Sequence, residues 1–574
     1  MRREPHAARL PSLGVVLRKL LTIVALGALL ASSASGAPRQ VLQSTTQELM
    51  PGVTYTRQVE FTPRGPVVLD VVTAPKPDGS LYTLAPVLAR GQRLTAVEQG
   101  LAASATTVGV NGDFFATAGH QPSGIVMRAG ALDEAPVTSR SSLGIGPDGT
   151  LSSARVSYKG TWQGSGQRRS LDLNLAPVKG HATLYTPSWG ASTPVESGVA
   201  EAVFSAFPAA QPNQPLQATV TQLVTAGPTP IPPGGAVLVA RGLQAQALQA
   251  DAPVGQRVEI RLTLTPNWSG MASALGGGPL LVAKGKPVFD AKESFDAKVV
   301  NQRGARSAVG QLADGRILFV TAEGGRAAYS VGMTSYELAV ALARLGAVTA
   351  VGLGSGSPAG MVFDGTLLTR PSGGTEQALG DALVLSYAGV WAALPTVAVL
   401  SPNGDGVDDT QSFAYKLPRP SRLTAVLTGP AGARVVLADD QEPAGVHALS
   451  WDGVGAAEGS WTFTLTATDD AGKPSSAQRT FSLDDTLAAL TVTPPASASF
   501  QLSRAATVTV TAERRNGTAV ATLLNGPLQP ATQTVTWDGR GADGKKVPAG
   551  PYQIHVVAQS AIGRSELTAS MTLP

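Results

Sequence analysis

The sequence predicts an α+β N-terminal domain built mostly of strands with a few helices, followed by two all-β Ig-like sandwich modules. Three observations lead there: short apolar segments of period two, two helix-start signatures, and an internal repeat near the C-terminus. The chain has 574 residues, room for three to four domains at roughly 150 residues each. Charged residues make up 15% and hydrophobic ones 43%, which suits a turn-rich β protein better than a helical bundle or coiled coil. Gly (64) and Pro (42) together stay below the roughly 25–30% that marks low-complexity disorder, so the chain should fold.

Residues 1–37 read as a secretory signal. A basic stretch ends at Arg18-Lys19, an apolar run extends from Leu20 to Ala31, and small residues lead through Ser35-Gly36 to Ala37. The run is too short to span roughly 30 Å of hydrocarbon, and small residues suit a signal peptidase. The expected location is therefore secreted, periplasmic or cell-envelope, after removal of the signal near Ala37. The net charge of +4 sits in this segment, where Arg2, Arg3, Arg9, Arg18 and Lys19 face only Glu4. The mature chain is neutral, with no basic stripe, which argues against a nucleic-acid partner.

Cysteine is absent, so disulfides, thiolate metal sites and cysteine catalysis are excluded, and stability must come from core size. The five histidines, at 6, 120, 181, 447 and 555, show no HExxH or paired spacing, which disfavours a His-built zinc site.

Val67–Val72, Arg261–Thr265, Ile317–Thr321 and Thr462–Thr468 alternate with period two and break at turn formers, so each is expected as a strand. Thr95-x-x-Glu98 and Thr334-x-x-Glu337 read as capping boxes, in which a hydroxyl and a carboxylate satisfy opposite free N–H groups. The first opens a segment with Val97 and Leu101 on one face. The second opens one with Leu338, Leu342 and Leu345, closed by Gly346.

Helical signals end between Ala388 and Pro402, giving an N-terminal domain over 38–390. Beyond it, Leu449-Ser-Trp-Asp-Gly453 followed by Gly459-Ser-Trp461 returns as Val535-Thr-Trp-Asp-Gly539 followed by Gly550-Pro-Tyr552. A repeat of this length fits a small sandwich, so modules are expected at 398–484 and 488–574. In each, Trp should anchor the core and Asp-Gly start a turn. The pair resembles the Ig-like domains of flagellar hook-capping proteins, a resemblance that implies spacers or cell-envelope attachment.

Glycine-rich clusters recur before residue 390: Gly109-Val-Asn-Gly-Asp-Phe-Phe115, Arg140-Ser-Ser-Leu-Gly144, Ala274-Leu-Gly-Gly-Gly-Pro-Leu280, Arg306-Ser-Ala-Val-Gly310 and Tyr329-Ser-Val-Gly-Met-Thr334. Such runs let backbone approach a ligand closely. They match neither a P-loop, a dinucleotide fingerprint nor a hydrolase elbow. In this order they resemble the phosphodiester glycosidase family, with coverage from about Pro51 to Tyr387. The resemblance rests on Asn111–Phe115, Gly276–Leu280, Arg306–Gly310 and Ser330–Leu338. It implies cleavage of a glycosyl phosphodiester, with a glycan or glycosyl-phosphate polymer of the envelope as partner.

This chain departs from the family's boxes at three places. Gly354 stands where the family has Asp, Gln377 replaces an Arg, and Glu323-Gly-Gly325 keeps an acid but drops an Arg. Cleavage at the anomeric carbon needs a carboxylate to activate water or attack, and cations for the departing phosphate. The catalytic candidates are Asp113, with Glu323 and Glu376 behind it. Arg306 and Arg140 are the phosphate partners because guanidinium binds phosphate bidentately. Asn111, Gly277, Gly278 and Ser330 complete the substrate-binding set. The competing readings are a turn beside two core Phe residues for Asp113, a structural ion pair for Arg306, and a surface group for His120. At the head of the first module, Asn403, Asp405 and Asp409, with a carbonyl from Val407, have the alternate spacing of a calcium loop without its bidentate Glu, against an Asx-rich turn. Two functions follow: an exported hydrolase of an N-acetylglucosamine-type phosphodiester, or a catalytically degenerate surface protein that binds glycans without turnover.

Overall fold

The computed structural model describes residues 40–116, 119–288, 293–404, 406–493 and 497–574. The segment read as a signal, residues 1–37, lies outside the described residues, as does Asp405. The chain divides into two units at Tyr387/Ala388, at the start of the interval where the sequence changes character. Strand dominates at 52%, against 7% helix, so the fold rests on several sheets.

The first unit holds four sheets. In the first, the central strands Gly65–Ala74, Ile317–Ala322, Arg306–Leu312 and Ala347–Ser355 lie side by side. They are buried along almost their whole length, because the helix Ser335–Arg344 packs Leu338, Ala339, Ala341 and Leu342 onto Val67, Leu69, Ala308 and Val320. The second sheet shows the opposite pattern. Arg257–Thr265 alternates buried and exposed positions, one face closing on a core that contains Trp162, Phe204 and Leu238. The third sheet pairs Val126–Arg128 and Ser141–Ile145 on either side of Ser273–Leu275. In the fourth, Thr106–Asn111 runs between Met361–Phe363 and Asp381–Tyr387. The four segments expected as strands all lie within strands.

The two expected capping boxes fare differently. Thr334 accepts from the Glu337 N–H while Glu337 accepts from the Thr334 N–H at 2.9 Å, and Gly346 follows the helix at φ +92°. At Thr95 the reading is overturned. The helix spans Leu94–Leu101 with Arg93 at the cap and no side-chain cap bond. Thr95 already lies in the first turn, and the fully buried Glu98 turns away to accept from the Gly365 N–H at 3.0 Å. A box motif fixes a start only when its hydroxyl precedes the first helical residue.

The second unit contains two pairs of sheets, each closed on its own core. One core gathers Phe413, Tyr415, Trp461, Phe463 and Phe481, together with Val390 and Ala392 ahead of residue 398. The other gathers Phe500, Val508, Trp537 and Tyr552. The repeat has equivalent packing in the two: Trp451 meets Trp461 at 4.7 Å between ring centroids, and Trp537 meets Tyr552 at 5.2 Å. Asp452 accepts from the Val454 N–H and Asp538 from the Arg540 N–H, with Gly453 and Gly539 at φ +68° and +73°. These are Asx turns whose left-handed residue suits glycine. No helix among the described residues is long and apolar enough to cross a membrane.

Replacing Thr334 by Ala should lower stability of the first unit by about 1 kcal/mol, the usual cost of a lost N-cap. Thr334→Ser should restore it, and denaturant unfolding of the three proteins measures both.

Candidate functional site

The site lies where the ends of three sheets of the first unit meet. Asn111 ends its strand in the fourth sheet and reaches the first: its side-chain N–H donates to the Gly354 carbonyl at 2.9 Å, and its Oδ1 accepts from the Gly360 N–H at 3.1 Å. The Gly354 N–H donates back to the Gly112 carbonyl at 2.8 Å. Asn111 thus stitches the two sheet ends together.

Asp113 sits inside this junction. Its N–H donates to Asp381 Oδ1 at 2.8 Å, and its Oδ2 accepts from the Gly124 N–H at 2.5 Å. Gly124 and Gly276, from the third sheet's end, clasp that carboxylate. A Cβ on Gly276 would stand 2.4 Å from Asp113 Oδ2, and one on Gly112 would stand 2.3 Å from Asp381 Oδ1. Glycine is required at both positions by contact distance.

Three buried acids face one another here. Burial pushes the Asp113 carboxyl up, partly offset by backbone N–H groups and by the charge of Arg140. Burial and then the neighbouring Asp113 push Asp381 well up. Burial raises Glu134 to about 8, although Gln121 donates to it at 3.2 Å. Among the described residues Asp113 Oδ1 and Asp381 Oδ2 have no hydrogen-bond partner.

The cations lie on the other side of Phe114. Arg140 is held with its guanidinium carbon 5.2 Å from the Phe114 ring centroid and 4.5 Å from that of Phe295, and donates to the Ser294 carbonyl at 3.2 Å. Arg306 is buried and donates to the carbonyls of Met333 (3.0 Å) and Gln302 (2.7 Å). Burial lowers its pKa to about 10, so it stays charged at neutral pH. No carboxylate among the described residues stands at ion-pair distance from it. Arg306, Phe114, Gly278, Pro279, Gly352 and Leu353 line a narrow cleft of about 10 Å³, the room of roughly one water. Gly277 and Gly278 shape its wall: a Cβ on Gly277 would stand 2.6 Å from the Gly352 carbonyl, and Gly278 has φ +108°.

The remaining candidates are placed elsewhere. Glu323 is buried, pairs in charge with Arg57 at 3.2 Å and accepts from the Arg370 N–H at 3.0 Å. Glu376 accepts from the N–H and hydroxyl of Thr95 at 2.9 and 2.7 Å, closing the first turn of the helix Leu94–Leu101 from outside. Ser330 is fully buried, donating to the Glu323 carbonyl and accepting from the Val68 N–H; it ties backbones together rather than facing the cleft. His120 stacks on Phe115 at 5.6 Å.

In the second unit, the Asp409 carboxylate accepts from the N–H groups of Gly404 and Gly406 at 2.8 and 2.6 Å, while Asn403 donates to the Glu566 carbonyl at 3.2 Å. These bonds are those of a turn. Among the described residues no group of three or more His, Cys, Asp or Glu is arranged to hold a metal.

Besides Asp381 and Glu134, two further buried acids escaped the sequence reading. Glu293 accepts from the N–H and hydroxyl of Ser141 at 2.9 and 2.8 Å and from the Leu280 N–H at 2.8 Å, bracing the cleft wall from behind. No motif surrounds it. Asp70 shares Arg57 with Glu323 at 3.0 Å and accepts from the Tyr55 hydroxyl at 2.6 Å. Its place inside an apolar strand was the available signal, because a lone acid there needs a partner.

Residues 211–386 match the phosphodiester glycosidase family. The matched stretch includes the boxes at Gly276, Arg306 and Ser330, while the Asn111–Phe115 box precedes it. Residues 485–561 match the FlgD Ig-like domain. Among solved structures, a hypothetical protein from Synechocystis is similar at 25% identity and a TM-score of 0.50, over 60% of this chain and 64% of that one. The chain therefore spans less than two thirds of that protein's length. The zebrafish N-acetylglucosamine-1-phosphodiester α-N-acetylglucosaminidase catalytic domain, auto-inhibited by its pro-peptide, is similar at 13% identity and a TM-score of 0.32, over 60% of this chain and 87% of that one. No curated protein matches the chain.

In the first unit, Glu134 should make stability fall with rising pH. An unfolded Glu titrates near 4.3 and the folded Glu134 near 8, so between these values the folded state binds more protons than the unfolded one. Its contribution is complete below about pH 4.3 and is lost as pH rises toward 8. Glu134→Gln should remove up to about 1.4 kcal/mol per pH unit from that slope, measured by unfolding at pH 5, 6, 7 and 8. Gly276→Ala should destabilise the domain more than Gly270→Ala, a position with open space around it, and Tm compares the two.

Proposed function

We propose that this chain is an exported cell-envelope hydrolase acting on a glycosyl phosphodiester of N-acetylglucosamine type. The observation that carries the reading is Arg306, a buried guanidinium without a carboxylate partner among the described residues, in a glycine-walled cleft. An unpaired buried charge is costly unless something completes it, and a phosphodiester supplies the anion that guanidinium binds in a fork. Arg140, held over Phe114, adds a second cation to the same neighbourhood.

A phosphate leaves without protonation, so the demand on the protein is charge stabilisation plus one carboxylate. Asp113 precedes Phe114 in the cleft wall, and its Oδ1 has no donor. It is the proposed base for water or stabiliser of the developing cation. Asn111 and Gly276 position it, and Glu323 and Glu376 act on Arg57 and Thr95 rather than on the substrate.

A second reading is favoured by one observation. Of the three acids proposed from sequence, Glu323 and Glu376 are bonded elsewhere and Asp113 is buried. That arrangement suits a protein that binds the diester without turning it over.

Sugar release from an alkyl N-acetylglucosamine-1-phosphodiester separates the two. The hydrolase reading expects release that Arg306→Ala reduces at least a hundredfold. Retained binding with no release selects the glycan-binding reading. Comparing the assay in calcium and in chelator tests the calcium proposal for the Asn403–Asp409 turn. A Cβ at Gly354 would lie 3.0 Å from the Asp113 carbonyl, so Gly354→Asp requires only a small local shift. Combined with Gln377→Arg, it should raise release if the altered boxes have suppressed turnover.

A further inference from the structure

Between the two sandwiches of the second unit only Asp484–Thr486 intervene, since one strand ends at Leu483 and the next begins at Leu487. A linker that moves keeps its backbone in water. Here Asp484 and Thr486 are fully buried. The Asp484 N–H donates to the Leu400 carbonyl at 2.9 Å in the first sandwich, and the Thr486 carbonyl accepts from the Ser503 N–H at 2.9 Å in the second. The Asp484 carboxylate accepts from the Thr486 N–H at 3.0 Å, which closes the linker on itself.

Side chains of the two sandwiches meet around it. Glu458 of the first accepts from the Ser503 hydroxyl at 2.8 Å and pairs with Arg504 of the second. Asp484 accepts from the Ser560 hydroxyl at 3.0 Å, and that hydroxyl accepts in turn from the Ile562 and Gly563 N–H groups. Asn403 donates across to the Glu566 carbonyl at 3.2 Å, so the turn that the sequence suggested as a calcium loop forms one side of this junction. An apolar contact lies among the polar ones. A Cβ on Gly563 would stand 2.9 Å from Val399 Cγ2, and Gly563 is not among the glycines of positive φ. What requires glycine there is the nearness of the other sandwich.

The repeat separates docking from core packing. Glu458 stands immediately before Gly459, and the corresponding residue before Gly550 is Ala549. The packing common to both cores therefore has no need of this acid. Small polar interfaces between domains ordinarily permit motion. In this one, parting the sandwiches would break the Glu458–Arg504 pair, the Asp484–Ser560 bond and the Gly563–Val399 contact at once, and would uncover the linker backbone, whose groups cost free energy when left unpaired.

We propose that the two sandwiches are docked into one rigid arm of fixed length, clamped by Glu458 on Arg504 and by Asp484 on Ser560, rather than strung as two modules on a flexible linker. The arm is independent of the chemistry proposed for the first unit.

Because the chain has no cysteine, spin labels attach only where cysteines are introduced. Thr466→Cys and Thr572→Cys place one on an exposed position of each sandwich in the mature full chain, and pulsed electron paramagnetic resonance reads the distance between them. A single narrow distribution is expected. Glu458→Ala with Arg504→Ala should broaden it at least twofold, as should Gly563→Leu, a wedge against Val399 that touches neither core. Removing an exposed pair within the first sandwich, Arg422→Ala with Asp439→Ala, should leave the width unchanged. A broad distribution in the labelled original, no broadening by the clamp variants, or equal broadening by the control overturns the proposal. Hydrogen exchange of the unsubstituted chain gives a second readout that no folding defect can confound. The Asp484 and Thr486 amides should exchange at least tenfold more slowly than those of the exposed turn at Asn516-Gly517, and equal rates overturn the rigid arm.

Discussion

The site depends on how closely backbone approaches the Asp113 carboxylate. Gly124 and Gly276 come nearer to it than any side chain allows, and through them the third sheet is joined to the Asn111–Gly354 stitch between the first and fourth. Phe114, which follows in the chain, is thereby set in the wall of the cleft. Burying Asp113, Asp381 and Glu134 together disfavours their ionisation. The hydrogen bonds that cross the junction and the glycine contacts hold the arrangement in place.

Around that junction the charges are sorted. The carboxylates turn inward, to backbone N–H groups, to Arg57 or to a helix end. The cations Arg306 and Arg140 lie by Phe114, with no carboxylate at ion-pair distance among the described residues. A surface sorted in this way favours an anion, and in a partly buried cleft the attraction is screened less than at an open surface.

How much of this was legible depends on whether a feature is local. The strands at Arg261 and Thr462 follow from alternation, and those at Val67 and Ile317 from short runs of apolar and β-branched residues bounded by turn formers. The Thr334 helix follows from a cap whose partners are three residues apart. The repeat at Trp451 and Trp537 preserves an aromatic pair and an Asx turn, both short-range. The glycine clusters at Asn111, Gly276 and Arg306 were also visible, because side-chain volume is a property of the sequence. Thr95-x-x-Glu98 shows the limit: the motif is present, but its helix begins one residue earlier, and the acid that bonds Thr95 is Glu376, far away in the chain.

Residue types and order by themselves determined that the chain is mostly β, that it changes character near residue 388, and that glycine-lined backbone meets arginine before that point. Only the tertiary structure decided which acids are free to act. Glu323, Glu376 and Asp113 are equivalent as letters, yet one is bound to Arg57, one closes a helix, and one is enclosed by glycine. The cause is that ionisation and availability depend on desolvation and on partners brought in from hundreds of residues away, as Glu293 and Asp70, unmarked by any motif, also show.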